Sequence, residues 1–476
     1  MATADVESLL PQQQKSASYG ATEAKKLDET PDAASQKGGG CLGLDKGLLA
    51  IMGVVLIGDM ARGLMFPTLS SYVKLMGGSH AIQGFCVAGF SFGRVISSPI
   101  LGRASIVHGY KKVLTCSCAT IALGALLYSL ANSTPMLLVA QIVMGLGSGT
   151  LGVTRAYVAD HAPIHNRTAM LAMLTAVQYT GFTVTPVLGS LLCTLVGEDE
   201  TPPKNALLWG QMRWEWNQFT APGPIMAGAC ALALLAVVTL LDDAPPRTPP
   251  KKKAPLDHPP AEGGGGGGAH ADEEPMSAAL RAAILACFLL NVATKGTIAC
   301  YETLGASYAV SALGLSHGNI GAFFAAFGAL GVAALVSMRW LCRVFNDVQL
   351  IVGGVAVMLA STALLLDAGA PGRAGDIAFV VSIFLQYSVG YPIGHTSVLG
   401  LFSKVVGKRP QGTLQGLFAS AGSVARIAFP ILAGVIAELS SEHVVFAVLC
   451  VVLTTTILAV VAYRNTFLQY CREVAS

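Results

Sequence analysis

The most constraining stretch of this chain runs from Gln141 to Gly189, QIVMGLGSGTLGVTRAYVADHAPIHNRTAMLAMLTAVQYTGFTVTPVLG. An apolar, glycine-notched helix ends at Arg155, and a polar hinge follows with Asp160, His161, His165 and Arg167. A second apolar helix then carries Gly181, Pro186 and Gly189. Gly145 and Gly149 are four apart, so they clear one helix face for the close approach of a neighbouring backbone. In water each glycine would cost such a helix up to about 1 kcal/mol against alanine. In lipid the backbone must satisfy itself, and tight small-residue packing becomes the usual solution. This is the pattern of a membrane protein.

Composition agrees, since only 12% of the 476 residues are charged, against roughly 25% in ordinary soluble proteins. At about 20 apolar residues per span, the chain has room for about twelve. They are expected near 47–71, 81–101, 113–131, 136–156, 168–195 and 222–241, then 280–305, 318–338, 348–367, 376–402, 413–437 and 444–463. The two sets echo each other. Gln386, Gly390 and Gly394 repeat the spacing of Gln141, Gly145 and Gly149, and Pro430 answers Pro186. Ser316-His317 with Gly321, Ala325 and Phe327 answers Ser79-His80 with Gly84, Ala88 and Phe90. Three pairs in one order indicate duplication of a multi-helix unit. The expected fold is an all-α membrane protein of two six-helix bundles, 47–241 and 280–463. A polar tail (1–46), a Pro-, Lys- and Gly-rich linker (242–279) and a short end (464–476) complete it, with the first tail and the linker expected to be disordered.

Charge placement orients the chain. With the N-terminus in the cytoplasm, Arg103, Lys111, Lys112, Arg155, Arg167, the Arg247–Lys253 cluster, Arg339, Arg343, Lys404 and Arg464 all fall inside. The opposite side receives only Lys74, Lys204, Arg213 and Arg373. That bias predicts both termini in the cytoplasm. It also puts the glycosylation-type sequence at Asn132 on the far side and the one at Asn166 inside. The eleven cysteines show no CxxC ladder, so neither a metal site nor a disulfide framework is expected. GLGSGTLG lies inside a membrane helix where no phosphate loop fits. No catalytic triad is apparent, and no enzyme activity, cofactor or nucleic-acid partner is expected.

At these residues the chain resembles the major facilitator superfamily, transporters of six plus six helices. Gly102, Gly109, Lys111 and Lys112 look like the GxxxDRxGRR loop after the second span, with Ile106 in place of its Asp. The departure removes a charge pair associated with latching the inner gate. Gln141 stands at the Arg of the RxxxGxG stretch, and Gly181-x-x-x-Thr185-Pro186-x-x-Gly189 is similar to the antiporter motif of span five. Within the superfamily, SSPILG, GLGSGTLGVTRAYVADHAPIHNRT and QFTAPGPIMAG are similar to the lysosomal and vacuolar branch. That branch includes the ceroid-lipofuscinosis facilitator protein and the SPX-type vacuolar transporters, although no SPX domain fits in the first 46 residues. In the N-terminal tail, Asp5 followed by Leu9 and Leu10 fits an acidic dileucine signal of the kind sorting adaptors read.

A charge near mid-bilayer costs at least about 2.5 kcal/mol, so it faces a cavity or a partner. The candidates are Asp59, Arg62, Arg94, Lys295, Glu302 and Arg426, with His395 as a titratable addition beside Pro392 and Gly394. Asp59 and Arg62, three apart, share a helix face and are placed to pair. Lys295 and Glu302, seven apart, share one also. Interhelical ion pairs without a transport role remain an alternative for these charges, and a packed core histidine is one for His395. The resemblance implies that spans one, four, seven and ten line a cavity. Arg62, Lys295, His395 and Arg426 are then the expected solute contacts, and Asp59 and Glu302 the proton carriers. Arg94, Gly102, Gly109, Lys111, Lys112, Arg155, Asp160, Arg167, Gly181, Pro186 and Gly189 are the expected gating residues. The function expected is secondary transport of a small anionic solute, coupled to protons, in a lysosomal or vacuolar membrane. An anion conductor on the same fold and a transport-inactive sensor or scaffold are the alternatives.

Overall fold

A computed structural model of the protein describes residues 46–78, 80–196, 206–208, 211–213, 216–242, 277–311, 317–366, 373–407 and 409–473. Asp5, Leu9, Leu10 and most of the linker lie outside them. By its contacts the chain divides after Leu49. Of the first unit only Lys46–Leu49, a helix's opening turn, is described, and Ala50–Ser476 holds all the remaining elements.

Ten helical stretches among the described residues are long and apolar enough to cross a membrane. Two further stretches complete the twelve. One is the first span, expected as a single helix over 47–71, which is instead broken into α1 (Lys46–Gly63) and α2 (Phe66–Leu75). Proline lacks the amide hydrogen a continuous helix needs, and Pro67 sits where that lack is harmless, in the first turn of α2. The other is α11 (Asp347–Ala363), a short apolar helix of 17 residues.

The first half continues with α3 (His80–His108), α4 (Tyr110–Ser129), α5 (Thr134–Gly147), α6 (Leu151–His161), α7 (Arg167–Val196) and α8 (Pro222–Leu240). The fourth span is therefore also in two pieces, parting between Gly147 and Leu151. Between α7 and α8 lies a short two-stranded antiparallel hairpin, β1 (Ala206–Leu208) and β2 (Gln211–Arg213), the only strands among the described residues of an otherwise helical chain. The second half has α9 (Ala278–Ser311), α10 (His317–Val344), α11, α12 (Arg373–Phe384), α13 (Tyr391–Val406), α14 (Gln411–Leu439) and α15 (Glu442–Ala462). α12 and α13 are joined by a wide π-type turn, Leu385–Gly390, which with Pro392 interrupts the tenth span. Such turns free backbone groups and often mark working sites. A final helix, α16 (Arg464–Glu473), buries Phe467 where only a tail was expected.

The glycine pattern explains the packing. Gly145 and Gly149 press on Phe90 and Ser97 of α3, while Gly390 and Gly394 press on Gly354 of α11. A β-carbon at Gly145, Gly149 or Gly390 would collide with its neighbour, and one at Gly394 would be tight. The outward faces carry Leu232, Leu235, Trp340, Val451 and Leu458, all exposed. In water that would be a large sticky surface; in a bilayer it is the lipid contact.

Candidate solute site and gate

The first-half charges form one sealed pair. Arg94 Nη2 donates to Asp59 Oδ1 at 3.1 Å and to the Gly58 carbonyl at 3.3 Å. Its Nε donates to Ser148 Oγ at 3.2 Å, in the gap between α5 and α6. The guanidinium carbon stands 5.1 Å from the Phe90 ring centre. Both side chains are buried, 7% and 5% exposed. Asp59 thus pairs across helices with Arg94, and the expected local pair with Arg62 does not form.

The second-half pair is more open. Arg426 Nη2 donates to Glu302 Oε1 at 2.5 Å, with side chains 17% and 20% exposed. The expected Lys295–Glu302 partnership is replaced by this bridge between α9 and α14. Two turns back along α9, the Lys295 stem lies against Gly422, where a β-carbon would come within 3.0 Å of Nζ. A further turn down, Asn291 Nδ2 donates to the Phe418 carbonyl at 2.7 Å and fixes α9 on α14.

With both acids engaged, Arg62, Arg155 and Lys295 have no carboxylate partner among the described residues. Arg155 is the member that span boundaries concealed. Expected at a helix end in the gate, it is buried within α6, 2% exposed, with Nη1 unpartnered. Its electrostatic neighbours are Tyr391, Asp59 and Arg94. Lys295 in turn feels Arg155, Arg426 and Arg94 against a single acid, Asp59. Arg62 lies among Arg426, Glu302, Arg94 and Asp59. His395, from α13, sits in the field of Lys295, Arg155 and Arg426. Its ring is parallel to Tyr391 at 4.9 Å, and Tyr391 stacks on Tyr179 of α7 at 5.9 Å. These aromatic groups were not expected from the sequence, although Tyr391 lies between the glycine and proline, Gly390 and Pro392, that mark the broken span.

The end that carries the basic loops is closed by two kinds of contact. On one side, α3 and α14 cross backbone to backbone. Gly102 lies on Gly412, and Gly416 fits between the Ser98 carbonyl and Gly152. Ile106, at the position of the missing Asp, packs beside Gly412. Just above, Ser420 Oγ donates to the Val95 carbonyl at 2.6 Å. On the other side, polar contacts join α7 to α11 and α13. Asn346 caps α11, accepting from Gln349 N at 2.9 Å while the Gln349 side chain accepts from Asn346 N at 3.0 Å. That reciprocal box sets Asp347 at the positive end of a helix. Asp347 accepts from Lys404 Nζ at 2.6 Å and from Thr168 Oγ1 at 2.8 Å. Arg167 Nη1 donates to the Ser403 and Gly407 carbonyls at 3.0 and 3.3 Å.

The other expected gating residues divide. Gly181 lies against the Leu56 carbonyl of α1, Gly189 is buried, and of Pro186 only its place within α7 is described. Gly109 has φ 84°, a left-handed turn that glycine adopts freely, between α3 and α4. Lys112 is exposed and Lys111 half-buried. Asp160 accepts from Tyr110 OH at 2.5 Å, a contact within the first half. Asp347 and Lys404 were missed as a latch, although Asn346-x-x-Gln349 is a legible capping signal.

The profile of the Major Facilitator Superfamily matches residues 51–430. Major facilitator superfamily domain-containing protein 8 of Xenopus laevis is 22% identical over 442 residues, covering 81% of this chain and 84% of that one. Among solved structures, the human organic anion transporter MFSD10 superposes with TM-score 0.68 at 15% identity, covering 87% of this chain and 99% of its own. The proton:xylose symporter XylE gives 0.69 at 13% identity, with 87% and 94% covered. These likenesses carry the fold.

Proposed function

The chain belongs to the Major Facilitator Superfamily, and from that premise we propose that it moves a small anionic solute by alternating access, in exchange for or together with protons. The two rocking bodies are the bundles 47–241 and 280–463, about a site between them. One observation carries the choice of anion: the two cavity acids are bonded to Arg94 and Arg426, which leaves Arg62, Arg155 and Lys295 without a carboxylate partner among the described residues. Uncompensated charge in a low-dielectric site is costly until a counter-charge arrives, and an anion supplies it. MFSD10, a fold neighbour, is itself an organic anion transporter by its name.

Glu302 is the proton carrier in this reading. A solute that engages Arg426 draws that cation away and leaves the Glu302 carboxyl free to exchange a proton. Asp59, sealed against Arg94, is the structural member. The backbone-tight closure at the basic end supports an alternating carrier over an open conductor. Motif similarity to the lysosomal and vacuolar branch, with the dileucine signal at Asp5, Leu9 and Leu10, supports an acidic organelle and sorting adaptors as partners.

Purified protein in liposomes tests this by uptake of labelled anions against a gradient, with and without a pH difference. Concentrative anion uptake is expected. Ohmic anion current without concentration selects a conductor, and preference for a cation defeats the reading.

A further inference from the structure

Two of the buried side-chain atoms without a hydrogen-bond partner among the described residues belong to His395 and Arg155. Thr294 Oγ1 donates to the Leu290 carbonyl at 2.8 Å, and a hydroxyl has one proton to give. Toward His395 Nδ1, 3.0 Å away, Thr294 can therefore only accept. This places the ring hydrogen on Nδ1. Nε2 of the neutral ring is then a bare acceptor, buried, and no donor among the described residues reaches it. Arg155 Nη1 is the converse: a buried donor that no acceptor reaches. Each residue is only 2% exposed. The two belong to one cluster, because His395 lies in the fields of both Arg155 and Lys295. Tyr391, parallel to the imidazole at 4.9 Å, holds the plane of the ring and hence the direction of Nε2.

A buried acceptor and a buried donor left unmade are each expensive. A simple anion would satisfy Arg155 and Lys295 but would place another acceptor against Nε2. The missing occupant must both accept and donate. The charge count adds a second requirement, since Arg62 and Arg155 alone exceed what one negative charge offsets.

We propose that the solute is an oxyanion of two or more negative charges that carries its own hydroxyl or acid proton. Its anionic oxygens accept from Arg155 and Lys295, and its O–H donates to His395 Nε2. This rests on the anion-carrier reading above and names the substrate class of that site. Both orphan atoms are shut from solvent in the present state, so they meet the solute as the two halves exchange positions. Hydroxy-polycarboxylates and hydrogenphosphate share the required chemistry.

Matched pairs of probes separate hydroxyl from charge. Malate differs from succinate, and citrate from tricarballylate, by one hydroxyl group. Binding of each to the purified full-length protein is measured by calorimetry, beside inorganic phosphate, acetate and chloride. Malate or citrate binding about tenfold tighter than its partner is the expected result for one buried hydrogen bond. Phosphate as the tightest probe, with the carboxylates weak, supports the same chemistry from the inorganic source. His395→Phe keeps a flat ring on Tyr391 and removes Nε2, and it should pull the malate-to-succinate ratio toward one. Should that variant not fold, the wild-type pairs decide alone. Equal binding within both pairs, preference for acetate or chloride, or no binding of any probe overturns the proposal. Concentrative uptake of a monovalent anion would overturn it and leave the anion carrier standing, whereas cation transport would overturn both.

Discussion

The two halves of the molecule each hold one acid–arginine pair, and the pairs are built for different work. Asp59–Arg94 is nearly solvent-free, and its guanidinium is bonded from three directions and covered by Phe90. Arg426–Glu302 has about a fifth of each side chain exposed and lies in the field of Arg62. A charge pair with several anchors cannot exchange partners cheaply. A pair at a wet edge with a competing cation beside it can. The duplicated helices thus give the molecule a fixed body in one half and an adjustable one in the other.

The comparison breaks most easily at its fixed side. Arg94→Leu leaves Asp59 buried without its cation, and losing one partner of a buried pair costs about 3–5 kcal/mol. The variant should melt far below the wild type or fail to leave the translation machinery folded. Arg426→Gln should instead melt within about 1 kcal/mol of the wild type, as expected for a partly exposed pair, while anion uptake is lost. Equal destabilisation by both variants would end the distinction.

Glu302→Gln sharpens the same contrast. Uptake should persist and lose its dependence on the pH gradient, read as a flat profile in liposomes. A retained profile would return the proton to Asp59. A smaller effect is expected at the gate. Gly416→Leu inserts a side chain between the Ser98 carbonyl and Gly152, overpacking worth about 1–3 kcal/mol, and should shift the protein toward states open at the basic end. A cysteine replacing Ser98 would then react with an impermeant reagent from that side, and unchanged reactivity would show that the crossing does not govern closure. Asp347→Asn, which leaves the Arg167 bonds in place, should be seen as modestly faster solute exchange.

Much of the fold was legible because lipid imposes long apolar runs, and the internal echo announced the duplication. What escaped was local. Pro67 and the glycines around Gly149 divide spans that hydropathy treats as continuous, and a 17-residue helix such as α11 is marginal by length alone. The charged residues were legible as a set, since few side chains of that kind tolerate mid-bilayer positions. Their pairing was not, because helix periodicity reports only partners on the same helix. Asp59 could be matched to Arg62 by spacing, but its actual partner lies on α3, and Arg426 finds its acid on α9. Arg155 was misjudged for a related reason: assigned to a helix end by its place in the sequence, it lies well inside the packed bundle.

The gate's two sides also differ in what the surroundings can do to them. Where Gly102 and Gly416 let backbones touch beside Ile106, the contact itself carries no charge for ions, protons or membrane voltage to act upon. Asp347, Lys404 and Arg167 offer all three a handle on the opposite side. Ionic strength at the end that carries the basic loops would therefore loosen one flank while the other holds, and the halves would part by swinging about the glycine crossing as about a door post. In such an arrangement the chemistry of the compartment selects how often the door moves, and the backbone alone decides the axis on which it turns.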